Sequence, residues 1–105
     1  MLDLNALNSG KFNKFNKKSI IDDSKEVMKF LNSFDFITKI SIIPEIYKDS
    51  DGQFINLMIK ITVDEPYMIL SKLTNSEEFK EISQELCMIL WGDYSFFING
   101  EKYIN

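Results

Sequence analysis

Glu77, Glu81 and Glu85 recur at four-residue intervals, with Glu78 beside them. At about 100° per residue this spacing gathers the carboxylates into one stripe of an α-helix, with Met88 on the same side and Trp91 at its border. Asp64, Glu65 and Asp93 flank the stripe, so residues 64–93 hold seven acids against Lys72 and Lys80. Such a face can steer a basic partner while Met88 and Trp91 supply desolvated contacts. It also fits a solvated helix face whose first turns are Glu-rich because the helix dipole favours them, with Trp91 packed on the following hairpin. Acid–base catalysis is not expected of it, because a catalytic carboxylate pair needs a cleft and one raised pKa.

The residue types that are missing narrow the chemistry further. All twelve basic residues are Lys, and the chain has neither His nor Arg. The commonest general base and nitrogen metal ligand are therefore lacking, as is the bidentate fork for phosphate or guanine. Cys87 is alone, so it can form no internal disulfide and has no His to activate it as a nucleophile. Asp49 and Asp51 before Gly52 suggest a calcium loop, but its first and twelfth positions would be Tyr47 and Met58, where Asp and Glu are needed. No catalytic residue, metal ligand set or cofactor is expected.

A second constellation lies near the amino terminus. Lys11, Phe12, Lys14, Phe15, Lys17 and Lys18 interleave cations with aromatic rings, a pattern that can hold a phosphate backbone and stack bases. The alternative is a flexible basic arm whose two Phe fold back on the core. Residues 1–18 carry four Lys and one Asp, whereas residues 19–105 carry eight Lys and fifteen acids. An acidic body of this kind does not suit a sequence-reading DNA domain. The expected organisation is a flexible basic leader over 1–18 and a single domain over 19–105.

The elements that must position these residues follow from periodicity. Asp23 and Glu26 form a capping pair ahead of Val27, Phe30, Leu31 and Phe34, which predicts a helix ending near Asn32–Asp35. Thr38, Ile40 and Ile42 alternate with Lys39 and Ser41, and Pro44 places the end of that strand at a sheet edge or bulge. Ile55, Leu57, Ile59, Ile61 and Val63 alternate with polar neighbours in a clearer strand, after a loop over Tyr47–Gly52. Asp64-Glu65-Pro66 opens a short helix over Tyr67–Leu73. Thr74 or Asn75 then caps a longer one that buries Phe79, Ile82, Leu86, Ile89 and Leu90. Tyr94–Ile98, Asn99-Gly100 and Glu101–Ile104 complete a hairpin. The expected fold is α+β in the order α-β-β-α-β-β, a four-stranded antiparallel sheet with two helices on one face.

Hydrophobic residues make up 45% of the 105 positions and include nine Phe, enough for one core. No apolar run approaches the roughly 20 residues of a membrane helix. The opening MLDLNALNSGK, with Asp3 and no early Lys, does not follow a secretory signal pattern, so the cytoplasm of a bacterial cell or phage-infected host is expected. Abundant Lys, Ile, Asn and Phe also suit an AT-rich coding sequence, as in phages and mobile elements. In size and charge the chain resembles two groups of small acidic inhibitors, immunity proteins against bacterial toxins and phage anti-defence proteins that block nucleases. That resemblance implies a non-catalytic protein that binds the basic surface of a nucleic-acid-handling enzyme. Two other expectations stay open: a nucleic-acid accessory protein using the Lys/Phe leader, and a small phage structural or assembly protein that self-associates.

Overall fold

The alternation at the centre of the chain builds the central strand of the sheet. In the computed structural model, which describes residues 1–74, 77–90 and 92–103, strand β2 (Gly52–Val63) buries Leu57, Ile59, Ile61 and Val63. Strand β1 (Ile37–Asp49) runs antiparallel to it, from Ile37 opposite Val63 to Asp49 opposite Gly52. The expected loop over Tyr47–Gly52 is tighter than anticipated, since only Ser50 and Asp51 lie between the paired strands. Asp49 Oδ1 accepts from the Asp51 N–H at 2.7 Å, and Gly52 takes φ +130°, where a side chain would be strained. Pro44 sits on β1, an outer strand of the sheet, as its missing N–H requires. A bulge at Thr38 separates Ile37 from Lys39, so Ile37 meets Val63 and Ile40 meets Ile61 on one face. Thr38 is thereby excluded from the inward set in which simple alternation placed it.

The first long helix, α2 (Lys17–Leu31), begins well before the expected Asp23–Glu26 cap. Its true cap is Asn16, whose Oδ1 accepts from the Ser19 N–H at 3.2 Å. The buried stripe is Ile20, Ser24, Val27 and Leu31. A serine in the middle of the stripe conceals its first half from a hydrophobicity pattern. The Ser24 hydroxyl is fully buried and donates to the Ile20 carbonyl at 2.7 Å, so its polarity is satisfied within the helix. Asp23 lies inside the helix, its carboxyl raised above the usual range first by burial and then by neighbouring Asp22.

The leader is not a detached arm. Leu2 bridges to Ile42 in parallel, the short helix α1 (Leu4–Leu7) follows, and Leu2, Leu7 and Phe12 all join the core. The Asp3 N–H donates to the Ile42 carbonyl at 2.8 Å, and the Ile42 N–H to the Met1 carbonyl at 3.0 Å. These bonds cover part of the outer edge of β1. The expected boundary at residue 18 therefore corresponds to no break in packing.

After β2, Asp64 opens helix α3 (Glu65–Thr74) as expected, its Oδ1 accepting from the Tyr67 N–H at 2.8 Å. Helix α4 (Glu78–Ile89) starts later than the expected cap at Thr74 or Asn75. Thr74 closes α3, Asn75 lies outside the described residues, and Glu77 occupies the cap position without a side-chain bond. Strand β3 (Asp93–Ile98) then pairs with β2 in parallel, from Asn56 opposite Asp93 to Ile61 opposite Ile98. The sheet is therefore mixed, not antiparallel. A 12-residue helix spans about 18 Å, enough for α4 to carry the chain back to the end where β2 began. Asn99 (φ +50°) and Gly100 (φ +86°) form the expected turn into β4 (Glu101–Lys102), which is antiparallel to β3. Among the described residues the fold is α+β, with four helices and a four-stranded mixed sheet in the order β1-β2-β3-β4. Ile20, Val27 and Leu31 from α2 and Ile82 and Leu86 from α4 complete a single core cluster with the strands. No helix among the described residues is long and apolar enough to cross a membrane.

Candidate protein-docking groove

The carboxylates of α4 become a site through what stands beside them. Glu78, Glu81 and Glu85 share a groove of about 430 Å³ with Ile82, with Phe30 in the last turn of α2 and with Phe34 just beyond that helix. The core cluster takes in Val27, Leu31, Ile82 and Leu86, which brings α2 and α4 side by side. The apolar residues of α2 and of the turn after it are more than the core buries, so Phe30 and Phe34 are left half-buried at its margin. Their rings meet edge to face, with centroids 5.3 Å apart.

A chain of aromatic contacts fixes this end of the molecule. Phe34 touches Phe36 at 5.4 Å, and Phe36 stacks on Tyr67 at 3.8 Å with the planes 2° apart. Phe79 stands edge-on to both, at 6.3 and 6.0 Å. Rings from α3, α4 and the link between α2 and β1 thus interlock next to the Phe30–Phe34 pair. A cation entering the groove would meet carboxylates on one wall and ring faces or edges on the other, a combination suited to an Arg or Lys side chain. No family model, curated protein or solved structure matches this chain.

The sequence-derived candidates separate in space. Glu78, Glu81 and Glu85 converge on the groove. Met88 continues the same stripe and is 76% exposed. Glu77 is exposed and pairs with Lys80 at 3.9 Å, a surface contact of little energetic weight. Asp64 is half-buried as the α3 cap, and Glu65 lines a different groove with Met68, Ile69 and Glu101. Asp93 stands on β3, where it accepts a hydrogen bond from the Tyr47 hydroxyl. That bond, chiefly, pushes the Tyr47 phenol up to about 12. Trp91 lies outside the described residues. Phe30 and Phe34 were expected in the core; their signal as rim residues was an apolar stripe broader than one helix face can bury.

The leader offers less to a nucleic acid than its composition suggested. Lys11, Lys14 and Lys18 are exposed and Lys17 half-buried, but Phe12 is 3% exposed and Phe15 half-buried, their centroids 6.3 Å apart. Phe12 has no free ring face on which a base could stack.

Proposed function

We propose that this chain is a small non-catalytic inhibitor that acts in the cytoplasm of a bacterial cell or phage-infected host. Its groove between α2 and α4 docks on the basic surface of a nucleic-acid-handling enzyme, a nuclease being the leading case. The observation that carries this reading is the placement of Glu78, Glu81 and Glu85 around the Phe30–Phe34 pair in one groove. Acids alone would steer an encounter without holding it; rings alone would lack selectivity for a cationic surface. Together they match a partner patch of Arg or Lys side chains evolved to bind phosphate.

An arginine-rich peptide titrated into the isotope-labelled chain tests the chemistry directly. Amide shifts are expected to cluster on the end of α2 and on α4, to weaken with salt, and to vanish in Glu78→Lys/Glu81→Lys/Glu85→Lys. Shifts confined to other elements would reject the groove. For the inhibitory role, the partner captured from native cells is assayed on its nucleic-acid substrate with added wild-type or triple-variant protein. Only the wild type is expected to suppress activity, and equal suppression by both proteins would sink the proposal.

A further inference from the structure

The helices α2 and α4 pack on one face of the sheet and leave the other face uncovered by its own core. Lys39, Ile43, Glu45, Met58, Lys60 and Phe97 stand on this second face, and all of them are half-buried or exposed. Its charges are sorted along the strands. Lys60 lies toward one end, with Lys39 and Lys102 at the same end. Glu45 and Asp93 flank Asn56 toward the other end, on the strands either side of it. Between them lies an apolar pair, Met58 and Ile43 opposite it on β1, with Ser95 beside Met58 on β3.

The charged side chains are held in place by the face itself. The Asn56 amide donates to Glu45 Oε1 at 2.8 Å and to Ser95 Oγ at 3.2 Å. The Tyr47 hydroxyl donates to Asp93, and the Lys60 ammonium sits 5.5 Å from the Phe97 ring centre. Ordered charges of this kind lose little further freedom on binding.

We infer that this face binds a second copy of the chain, sheet against sheet, about a two-fold axis crossing the strands near Met58. Lys60 and Asn56 lie two residues to either side of Met58. The two-fold reverses the strands, so Lys60 of one copy lies over Asn56 of the other, between its Glu45 and Asp93. Packed sheets stand about 10 Å apart, a gap that opposing Lys and carboxylate side chains can bridge. A two-fold along the strands would instead set Lys60 on Lys60 and Glu45 on Asp93, so charge selects the register. The face is about 26 Å along β1 from Lys39 to Tyr47 and about 14 Å across three strands. That size belongs to the small interfaces of reversible complexes.

Sedimentation of the full chain from about 10 µM to about 1 mM reads the association, and it should strengthen as salt is lowered. Lys60→Glu alone and Glu45→Lys alone should each weaken it by about tenfold or more, since each makes like charges face one another. An equimolar mixture of the two variants should restore a dimer, because the altered faces complement each other. Circular dichroism establishes that both variants fold; both positions are exposed, and Glu78→Lys/Glu81→Lys/Glu85→Lys serves as a control that should dimerise like wild type. A wild-type chain that stays monomeric throughout the range overturns the inference, as does a mixture no more associated than its separate components.

Discussion

Asn99 performs two tasks at one position. Its φ of +50° turns the chain into β4, while its side chain continues the pairing of β2. Asn99 Oδ1 accepts from the Val63 N–H at 2.8 Å, and Nδ2 donates to the Val63 carbonyl at 3.2 Å. An amide here substitutes for the backbone of a strand residue that the turn has removed. Asn99→Ala should cost about 1–3 kcal/mol, combining lost hydrogen bonds with positive φ at a residue bearing a Cβ. Asn99→Gly keeps the turn and loses only the clamp, so its loss in urea denaturation should be smaller. If the glycine variant equals wild type, the clamp contributes nothing. Tyr47 offers a second residue-scale test. Its phenol titrates at about 12 when folded because ionisation breaks the bond to Asp93 and places two anions together. A raised folded-state pKa means that the bond's contribution is fully present below the ordinary value near 10 and is lost as pH rises toward 12. Tyr47→Phe should therefore flatten the fall in melting temperature between those values. Ultraviolet titration should show one tyrosine fewer ionising at the high-pH end; an unchanged titration would remove the Tyr47–Asp93 bond from the account.

At the scale of elements, the segment before α2 belongs to the fold. Leu7 is fully buried and Phe12 nearly so. Phe12→Ala should destabilise the chain by about 3–5 kcal/mol through cavity formation. Removing residues 1–15 should lower the melting temperature by more than about 10 °C, since each kcal/mol shifts a domain of this size by about 4–8 °C. A truncated protein that melts within a few degrees of the full chain would restore the picture of a dispensable arm. The same deletion uncovers the outer edge of β1 around Ile42, which is otherwise bonded to the Met1 carbonyl and the Asp3 N–H. An exposed, apolar edge pairs readily with other chains, so light scattering on warming should rise sooner than in wild type.

Across the whole molecule, charge is arranged at some expense to the stability of the isolated chain. Glu77, Glu81 and Glu85 are successive i, i+4 neighbours, and like charges at that spacing each cost about 0.2–0.5 kcal/mol. The 3.9 Å pair between Lys80 and Glu77 relieves little of this. Added salt should therefore raise the melting temperature, and Glu81→Gln should raise it at low salt more than at high salt. An unchanged melting temperature in Glu81→Gln at both salts would show that the carboxylates do not strain the helix. Repulsion retained on one exposed face, beside an aromatic groove, is what a binding surface for cations requires, because a cationic partner converts it into attraction.

Local patterns determined which face of each well-marked element is apolar and where several turns fall. The alternation of β2, the Asp64 cap of α3, the Asn99-Gly100 turn and the edge placement of Pro44 all depend on near neighbours, and each was readable in sequence. The grouping of Glu78, Glu81 and Glu85 on one stripe follows equally from helical spacing. Tertiary structure decided what those faces meet. Strand direction in β3 depends on where α4 delivers the chain, and Leu2 and Phe12 find their neighbours far along the sequence, with no local period to announce them. Ser24 interrupts the hydrophobic stripe of α2 although its hydroxyl is satisfied inside the helix, so the start of that helix was hidden. Phe30 and Phe34 line a groove instead of filling the core because α2 and the turn after it present more apolar surface than α4 and the sheet cover. Periodicity is a property of one segment, whereas coverage requires two, and only the packed chain says which second segment arrives.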